Sequence, residues 1–136
     1  MKMKHKIIFI LPAVIGTLLI FIFSNQSKPP FIDLGFKWND KLFHLLAYFA
    51  YGLSLIFFLF GNFENIRIKN AIIYILIFGA IFGLSDEIHQ SMIPGRDAEV
   101  FDWVADCLGI TFSLALLSPL YKFISKLKFN FIHSSN

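Results

Sequence analysis

Four long runs of apolar residues, separated by short polar segments, dominate the chain. They predict four transmembrane helices at about residues 6–24, 41–61, 70–91 and 98–126. A helix needs about 20 mainly apolar residues to cross about 30 Å of hydrocarbon. The runs lack the strand-length alternation of a membrane β-barrel. We therefore expect an all-α fold, a membrane-embedded bundle of four helices that forms a single domain over residues 1–136.

Composition supports a protein embedded in lipid. The chain of 136 residues is 57% hydrophobic and 15% charged, whereas soluble domains are about 25% charged. The net charge of +3 does not indicate nucleic acid as a partner, because the basic residues flank the apolar runs. We therefore expect membrane lipid as the partner. The single cysteine, Cys107, excludes an intrachain disulfide.

Lysine and arginine positions predict the orientation. With the N-terminus inside, eight basic residues fall in inner segments: Lys2, Lys4, Lys6, Arg67, Lys69, Lys122, Lys126 and Lys128. Four fall in outer segments: Lys28, Lys37, Lys41 and Arg96. The positive-inside rule then places both termini of a multi-pass protein in the cytoplasm, with the helices in the cell membrane. The first run also resembles a signal peptide, but no A-x-A-like site follows it, so we expect a retained helix.

Polar residues gather at the four helix ends that this topology places outside, at residues 24–27, 40–48, 86–90 and 102–106. The connectivity alone brings these segments to the same depth. The third and fourth apolar runs, residues 71–84 and 107–121, are too short to cross the hydrocarbon core. Ionisable groups at that depth cost about 2.5–3.5 kcal/mol each on insertion scales and normally face a cavity or a partner. The pattern therefore predicts a polar pocket open to the outer face.

Spacing groups these polar residues by helix face. In the second helix, Asp40, His44 and Tyr48 recur every fourth residue and form one stripe. In the third helix, residues 86, 89 and 90 share a face, and Glu87 is expected to point away from it. In the fourth helix, residues 102 and 106 lie one turn apart.

Histidines and carboxylates suit acid and base catalysis, and the arginine fork suits phosphate or carboxylate. The candidate catalytic residues are Asp86, His89, His44, Asp40 and Asp106. The candidate residues for binding an anion or a lipid headgroup are Arg96, Lys41, Gln90, Asn25, Gln26 and Tyr48. The same side-chain types could ligate Zn, Mn or Mg, but no spacing is diagnostic, so we predict no metal and no cofactor.

Structural roles compete with these assignments. Asp40 could cap the second helix. Asp86 could form an ion pair with Arg96 or Lys41 that ties the helices together. Pro94 and Gly95 predict a tight turn between the third and fourth helices.

The ordered set of motifs resembles the VanZ-like family over about residues 7–125. The matching residues are Ser24-Asn25-Gln26-Ser27, Asp40-Lys41 with His44 and Tyr48, Asp86-Glu87 with His89-Gln90, Pro94-Gly95-Arg96, and Asp102 with Asp106 and Gly109. The resemblance implies a small polytopic membrane protein. It also implies a link to glycopeptide antibiotic resistance, chiefly to the lipid-bearing drug teicoplanin. No reaction comes with the family name.

Three functions are compatible with these residues. The first is an envelope protein that lowers susceptibility to teicoplanin-type glycopeptides, with a lipid-linked or glycopeptide ligand at the outer face. The second is a membrane enzyme that acts on a lipid headgroup or a polyprenyl-linked phosphate at the outer leaflet. The third is a structural or assembly partner in the envelope. The residues alone do not decide whether the chain is an enzyme.

Overall fold

A computed structural model describes residues 3–27, 35 and 37–133, without the side chains of residues 3–5. The described residues form α1 (Met3–Ser24), α2 (Asn39–Asn62), α3 (Ile68–Gln90), α4 (Val100–Ser113) and α5 (Leu117–His133). A 3-10 turn, Leu114–Leu116, joins α4 to α5. This part of the chain contains no strand, so the all-α prediction is confirmed. Lys2 and Lys28 of the orientation argument lie outside the described residues.

Four helical segments are long and apolar enough to cross a membrane. They are Lys6–Ser24, Asn39–Asn62, Ile68–Gln90 and Val100–His133. Their outer surfaces are apolar, and Phe78, Ile81 and Phe101 are each 61% exposed. Such a surface is unfavourable in water, because soluble proteins rarely expose large contiguous apolar patches. The four predicted spans are therefore confirmed.

Several helix ends differ from their predicted positions. α2 begins at Asn39 and has no side-chain cap, so Asp40 lies within the first turn and the prediction that it caps the helix is wrong. The fourth span starts at Val100 and continues to His133, seven residues beyond the predicted end. The extension is anchored at α2, because Lys128 Nζ donates to the Phe60 carbonyl oxygen at 3.1 Å.

The helix α2 is the centre of the bundle and packs against α1, α3, α4 and α5. Its closest approach is to α4, where Gly109 lies against the backbone of Leu45 and Phe49. A side-chain carbon at Gly109 would overlap the Leu45 carbonyl oxygen. Small residues allow membrane helices to approach this closely. The contact fixes the depth of α4 relative to α2, and with it the polar residues that the two helices carry.

A tight turn joins α3 to α4. Gly95 has a φ of 82°, and the Arg96 N–H donates to the Ile93 carbonyl oxygen at 3.1 Å. Glycine suits this position because other residues rarely adopt a positive φ. The predicted turn at Pro94-Gly95 is confirmed, and it places the end of α3 beside the start of α4.

Candidate functional site

The polar ends of four helices meet at one end of the bundle. Ser24 at the end of α1 donates to Asp86 near the end of α3. His44 near the start of α2 contacts Asp106 of α4. The predicted convergence of the four polar segments is therefore confirmed by direct side-chain contacts.

An inner cluster is formed by His44, Glu87 and Asp106, whose side chains are 8%, 6% and 0% exposed. His44 Nδ1 lies 3.0 Å from Asp106 Oδ1 and 3.8 Å from Glu87 Oε1. The other Glu87 oxygen, Oε2, accepts the backbone N–H of Glu99 at 3.0 Å. The cluster is thus an imidazole held between two buried carboxyl groups from two other helices.

The structure corrects the predicted orientation of Glu87. It does not point away from the site but is buried against His44. Residues 86 and 87 differ by about 100° around a helix. Both face inward because α3 packs against α1, α2 and α4. Glu87 therefore belongs to the inner cluster, whereas Asp86 belongs to a separate hydrogen-bond network.

A second network surrounds Asp86, which accepts hydrogen bonds from Ser24 and from Gln90 Nε2, the latter at 3.0 Å. Arg96 in turn donates to Gln90 Oε1. The predicted ion pair of Asp86 with Arg96 or Lys41 is wrong, because uncharged donors occupy the Asp86 carboxylate. Within the described residues, Arg96 forms no ion pair with a carboxylate.

An outer cluster is centred on Lys41, whose side chain is 14% exposed. Its Nζ lies 2.7 Å from Asp40, 2.6 Å from Glu99 and 2.8 Å from Asp102. The ammonium is therefore fully engaged by three carboxylates. Lys41, a predicted anion-binding residue, thus contacts three carboxylates of the chain, and Asp40, a predicted catalytic residue, is one of them.

His89 lies apart from both carboxylate clusters. Its ring stacks on Phe21 of α1 with a centroid distance of 5.0 Å, and its Nε2 atom has no hydrogen-bond partner among the described residues. Asn25 and Gln26 follow the end of α1 and do not line the cavity described next. The structure therefore does not bring these three candidates together with His44.

A cavity of about 700 Å³ lies between α1 and α2 and reaches the polar end of the bundle. Its apolar walls include Ile15, Leu19 and Leu46, which are also exposed at the molecular surface, so the cavity opens sideways. Its polar lining comprises Ser24, His44, Tyr48, Tyr51, Ser54, Asp86, Gln90 and Arg96. The cavity therefore joins a long apolar wall to the Asp86 network and to one face of the inner cluster.

Tyr48 is the most deeply buried of these aromatic lining residues, at 1% exposed. Its hydroxyl has no hydrogen-bond partner among the described residues. Buried polar groups normally find a partner, so this hydroxyl is an unsatisfied donor beside the cavity.

Four residues of these polar networks were absent from the predicted candidates: Ser24, Glu87, Glu99 and Asp102. Ser24 is the donor to Asp86, and Asp102 is a buried partner of Lys41. The position of Asp102 one turn before Asp106 could have identified it. Helix-face spacing did not indicate Glu87, although Asp86-Glu87 is one of the motifs that carry the family resemblance.

Comparison with known proteins places the chain in a family. A region of 83 residues is 36% identical to a Schizosaccharomyces pombe protein named only as uncharacterized protein C11E3.10. The region covers 61% of the chain and 48% of that relative, so the match spans about half the relative's length. No solved structure matches the chain. The family model for VanZ/LLP1 matches residues 4–122. The four apolar helices and this match indicate a multi-pass membrane protein. The chain belongs to the VanZ/LLP1 family.

Proposed function

We propose that the chain is an enzyme of the cell membrane, with both termini cytoplasmic, that binds a lipid-linked anionic headgroup at the outer face and acts on it. The observation that carries this proposal is the cavity between α1 and α2. Its walls are apolar over most of their extent, and its polar end holds a buried imidazole with carboxylate partners. An amphiphile is divided in the same way, into an apolar chain that matches the cavity walls and a polar headgroup that matches the polar end.

The apolar part of the cavity supports binding of an acyl or prenyl chain. Its volume of about 700 Å³ lies within the roughly 300–1,000 Å³ of small-molecule pockets. The sideways opening past Ile15, Leu19 and Leu46 would allow a lipid to enter from the bilayer. A chain in this position leaves its headgroup beside Arg96 and His44.

The polar end supports an anionic headgroup. Arg96 lines the cavity, and the described residues supply no carboxylate to neutralise it. Its planar guanidinium matches phosphate or carboxylate oxygens. Tyr48 also lines this cavity, and its buried hydroxyl has no hydrogen-bond partner among the described residues.

The pair of His44 and Asp106 supports chemistry at this end. A carboxylate bound to one imidazole nitrogen orients the ring and stabilises its charged form, which is the arrangement that general acid–base catalysis uses. His44 also lines the cavity. We therefore assign the acid–base role to His44 in preference to His89, which stacks on Phe21.

Headgroup binding is tested by titrating the purified protein in detergent with dodecyl phosphate and with uncharged dodecanol. We expect Arg96→Gln to weaken dodecyl phosphate binding about 10-fold to 100-fold, because a hydrogen bond to a charged group contributes about 1.5–3 kcal/mol. Arg67→Gln, an exposed arginine at the start of α3, is the matched control and should leave binding unchanged. Equal binding of the phosphate and the alcohol would contradict an anion site.

Enzymatic action is tested by incubating the protein in vesicles made from host lipid extract and analysing headgroups by mass spectrometry. We expect the wild type and His89→Gln to change one headgroup class, and His44→Gln at equal abundance to leave it unchanged. If the wild type leaves the lipids unaltered, the proposal of enzymatic action is contradicted. Headgroup binding is then decided by the dodecyl phosphate titration alone.

A second function, lowered susceptibility to teicoplanin-type glycopeptides, is favoured by the apolar cavity because teicoplanin carries a lipid tail. Ala47 lines the cavity and is exposed, so Ala47→Phe should narrow the cavity without disturbing the core. We expect teicoplanin protection in a sensitive Gram-positive host expressing the wild type, and its loss with equally abundant Ala47→Phe. Protection that survives this change would contradict tail binding in the cavity.

A further inference from the structure

We propose that His44, Glu87 and Asp106 bind a divalent metal ion of the zinc or manganese class beside the polar end of the cavity. The three side chains come from α2, α3 and α4, and their ligand atoms all lie within 4.8 Å of one another. Imidazole nitrogen and carboxylate oxygen are ligands that both metals accept. The proposal does not depend on the proposed function, and a metal bound at His44 Nδ1 would replace the hydrogen bond to Asp106 that supports the acid–base role of His44.

The distances in the inner cluster are those of ligands that can close around an ion. His44 Nδ1 lies 3.0 Å from Asp106 Oδ1 and 3.8 Å from Glu87 Oε1. Bonds of about 2.0–2.1 Å place neighbouring ligands of a tetrahedral zinc about 3.3 Å apart. The two spacings to His44 lie on either side of that value, and no two of the three ligand atoms are more than 4.8 Å apart, so side-chain rotations can bring them onto one ion.

Buried carboxylate oxygens without a hydrogen-bond donor are a second, independent observation in favour of a cation ligand. Glu87 Oε1 is buried and accepts no hydrogen bond from the described residues, although it is the Glu87 oxygen closest to His44. Asp106 Oδ2 also lacks a donor in this part of the chain. Leaving a buried acceptor unsatisfied costs about 1–3 kcal/mol, and more for a charged group. A metal ion would satisfy Glu87 Oε1 directly.

The outer cluster provides an internal comparison. There, Asp40, Glu99 and Asp102 have a similar mutual spacing, but the Lys41 ammonium lies between them at 2.6–2.8 Å. The described residues place no lysine or arginine within ion-pair distance of the inner cluster. The outer carboxylates are thus neutralised from within the chain, whereas the inner carboxylates have only His44.

A metal at this position would affect ligand binding in the cavity. Sites with three protein ligands keep a coordination position open for water or a substrate oxygen. His44 belongs both to the inner cluster and to the cavity lining. A cation here would attract an anionic headgroup together with Arg96, and this consequence rests on the proposed function.

Metal binding is measured on the full chain, purified in detergent and treated with a chelator. Zinc and manganese chlorides are titrated calorimetrically, and retained metal is counted by mass spectrometry after desalting. We expect one equivalent per chain for the wild type. Glu87→Gln keeps the side-chain shape and removes a ligand. It should weaken binding by more than the roughly 10–100-fold that loss of an outer-shell partner costs.

Glu99→Gln is the matched control, because it removes an exposed carboxylate from the outer cluster and keeps the backbone N–H that binds Glu87. It should bind metal as the wild type does. Asp106→Asn is a second ligand variant in case Glu87→Gln does not fold. For the wild type, zinc should raise the unfolding temperature and a chelator should reverse the rise, since a ligand of the folded state stabilises it.

Less than stoichiometric metal on the wild type would overturn the site, and so would equal affinity in the wild type, Glu87→Gln and Asp106→Asn. Either result would leave the His44–Asp106 pair as a metal-free acid–base group. The dodecyl phosphate titration contains no divalent metal, so failure of the metal site and failure of the proposed function are separate results.

Discussion

At the scale of single residues, the buried acids at the polar end differ in how they are satisfied. Asp86 accepts hydrogen bonds from the uncharged side chains of Ser24 and Gln90, whereas Asp102 forms an ion pair with Lys41. Glu87 has a hydrogen bond at only one of its two oxygens. A carboxylate that is fully bonded suits a structural role, and one with an open oxygen suits a ligand. We therefore assign a structural role to Asp86 and a functional role to the inner cluster.

The structural role of Asp86 predicts a stability cost when its donor is removed. Ser24→Ala deletes the hydroxyl that binds the buried Asp86, and we expect it to destabilise the fold by about 1–3 kcal/mol. Ser27→Ala, an exposed serine three residues further on, should change the stability little. Thermal unfolding in detergent measures both. Equal unfolding temperatures for the two variants would contradict the network around Asp86.

Residue types and helix spacing predicted His44, Asp86, Gln90 and Asp106 as members of the polar end, but they did not predict its internal partners. The orientation of Glu87 was predicted wrongly because α3 is apolar on its lipid-facing side as well as inside. Lipid tails are as apolar as leucine, so a membrane helix gives little contrast between its buried and exposed faces. Contacts such as Ser24 with Asp86, which are distant in sequence, also leave no local signal.

At the scale of helices, close packing of α2 and α4 sets the position of the inner cluster. The backbone of α2 at Leu45 and Phe49 lies against Gly109 of α4. Leu45 directly follows His44, and Gly109 lies three residues after Asp106. Apolar run length predicted which segments are helices. It did not predict that the fourth would continue to His133, because the apolar run itself ends at residue 121. Lys128 reaches the end of α2.

The close approach predicts that a larger residue at position 109 will separate the two helices. A side-chain carbon there overlaps the Leu45 carbonyl oxygen, and overpacking costs about 1–3 kcal/mol. We expect Gly109→Val to lower the unfolding temperature and also to weaken metal or headgroup binding, because His44 and Asp106 move apart. Thr111→Val, on the exposed side of α4, should have neither effect. Wild-type stability and binding in Gly109→Val would contradict the role of this contact.

At the scale of the whole molecule, the orientation in the membrane decides which compartment the polar end faces. The excess of lysine and arginine at the opposite end supports an outer position for it. The connection between α2 and α3 belongs to the inner side in this arrangement, and the turn between α3 and α4 belongs to the outer side.

Cysteine labelling tests this orientation. In a Cys107→Ser background, Met92→Cys introduces a thiol in the exposed turn between α3 and α4, and Asn65→Cys introduces one between α2 and α3. We expect a membrane-impermeant maleimide to label the first in intact cells and the second only after lysis. The reverse pattern would place the polar end in the cytoplasm.

Binding of an amphiphile in the cavity between α1 and α2 is tested by locating the bound molecule on the protein. A photoreactive single-chain lipid phosphate would be crosslinked to the protein in vesicles, and the labelled residues mapped by mass spectrometry. We expect labels on the facing walls of α1 and α2, within residues 12–24 and 43–54. These labels should be lost in Ala47→Phe and kept in Ile77→Phe, which changes an exposed residue outside the cavity. Labels that are spread over the lipid-facing sides of α3 and α4 and are unchanged by Ala47→Phe would contradict amphiphile binding in the cavity.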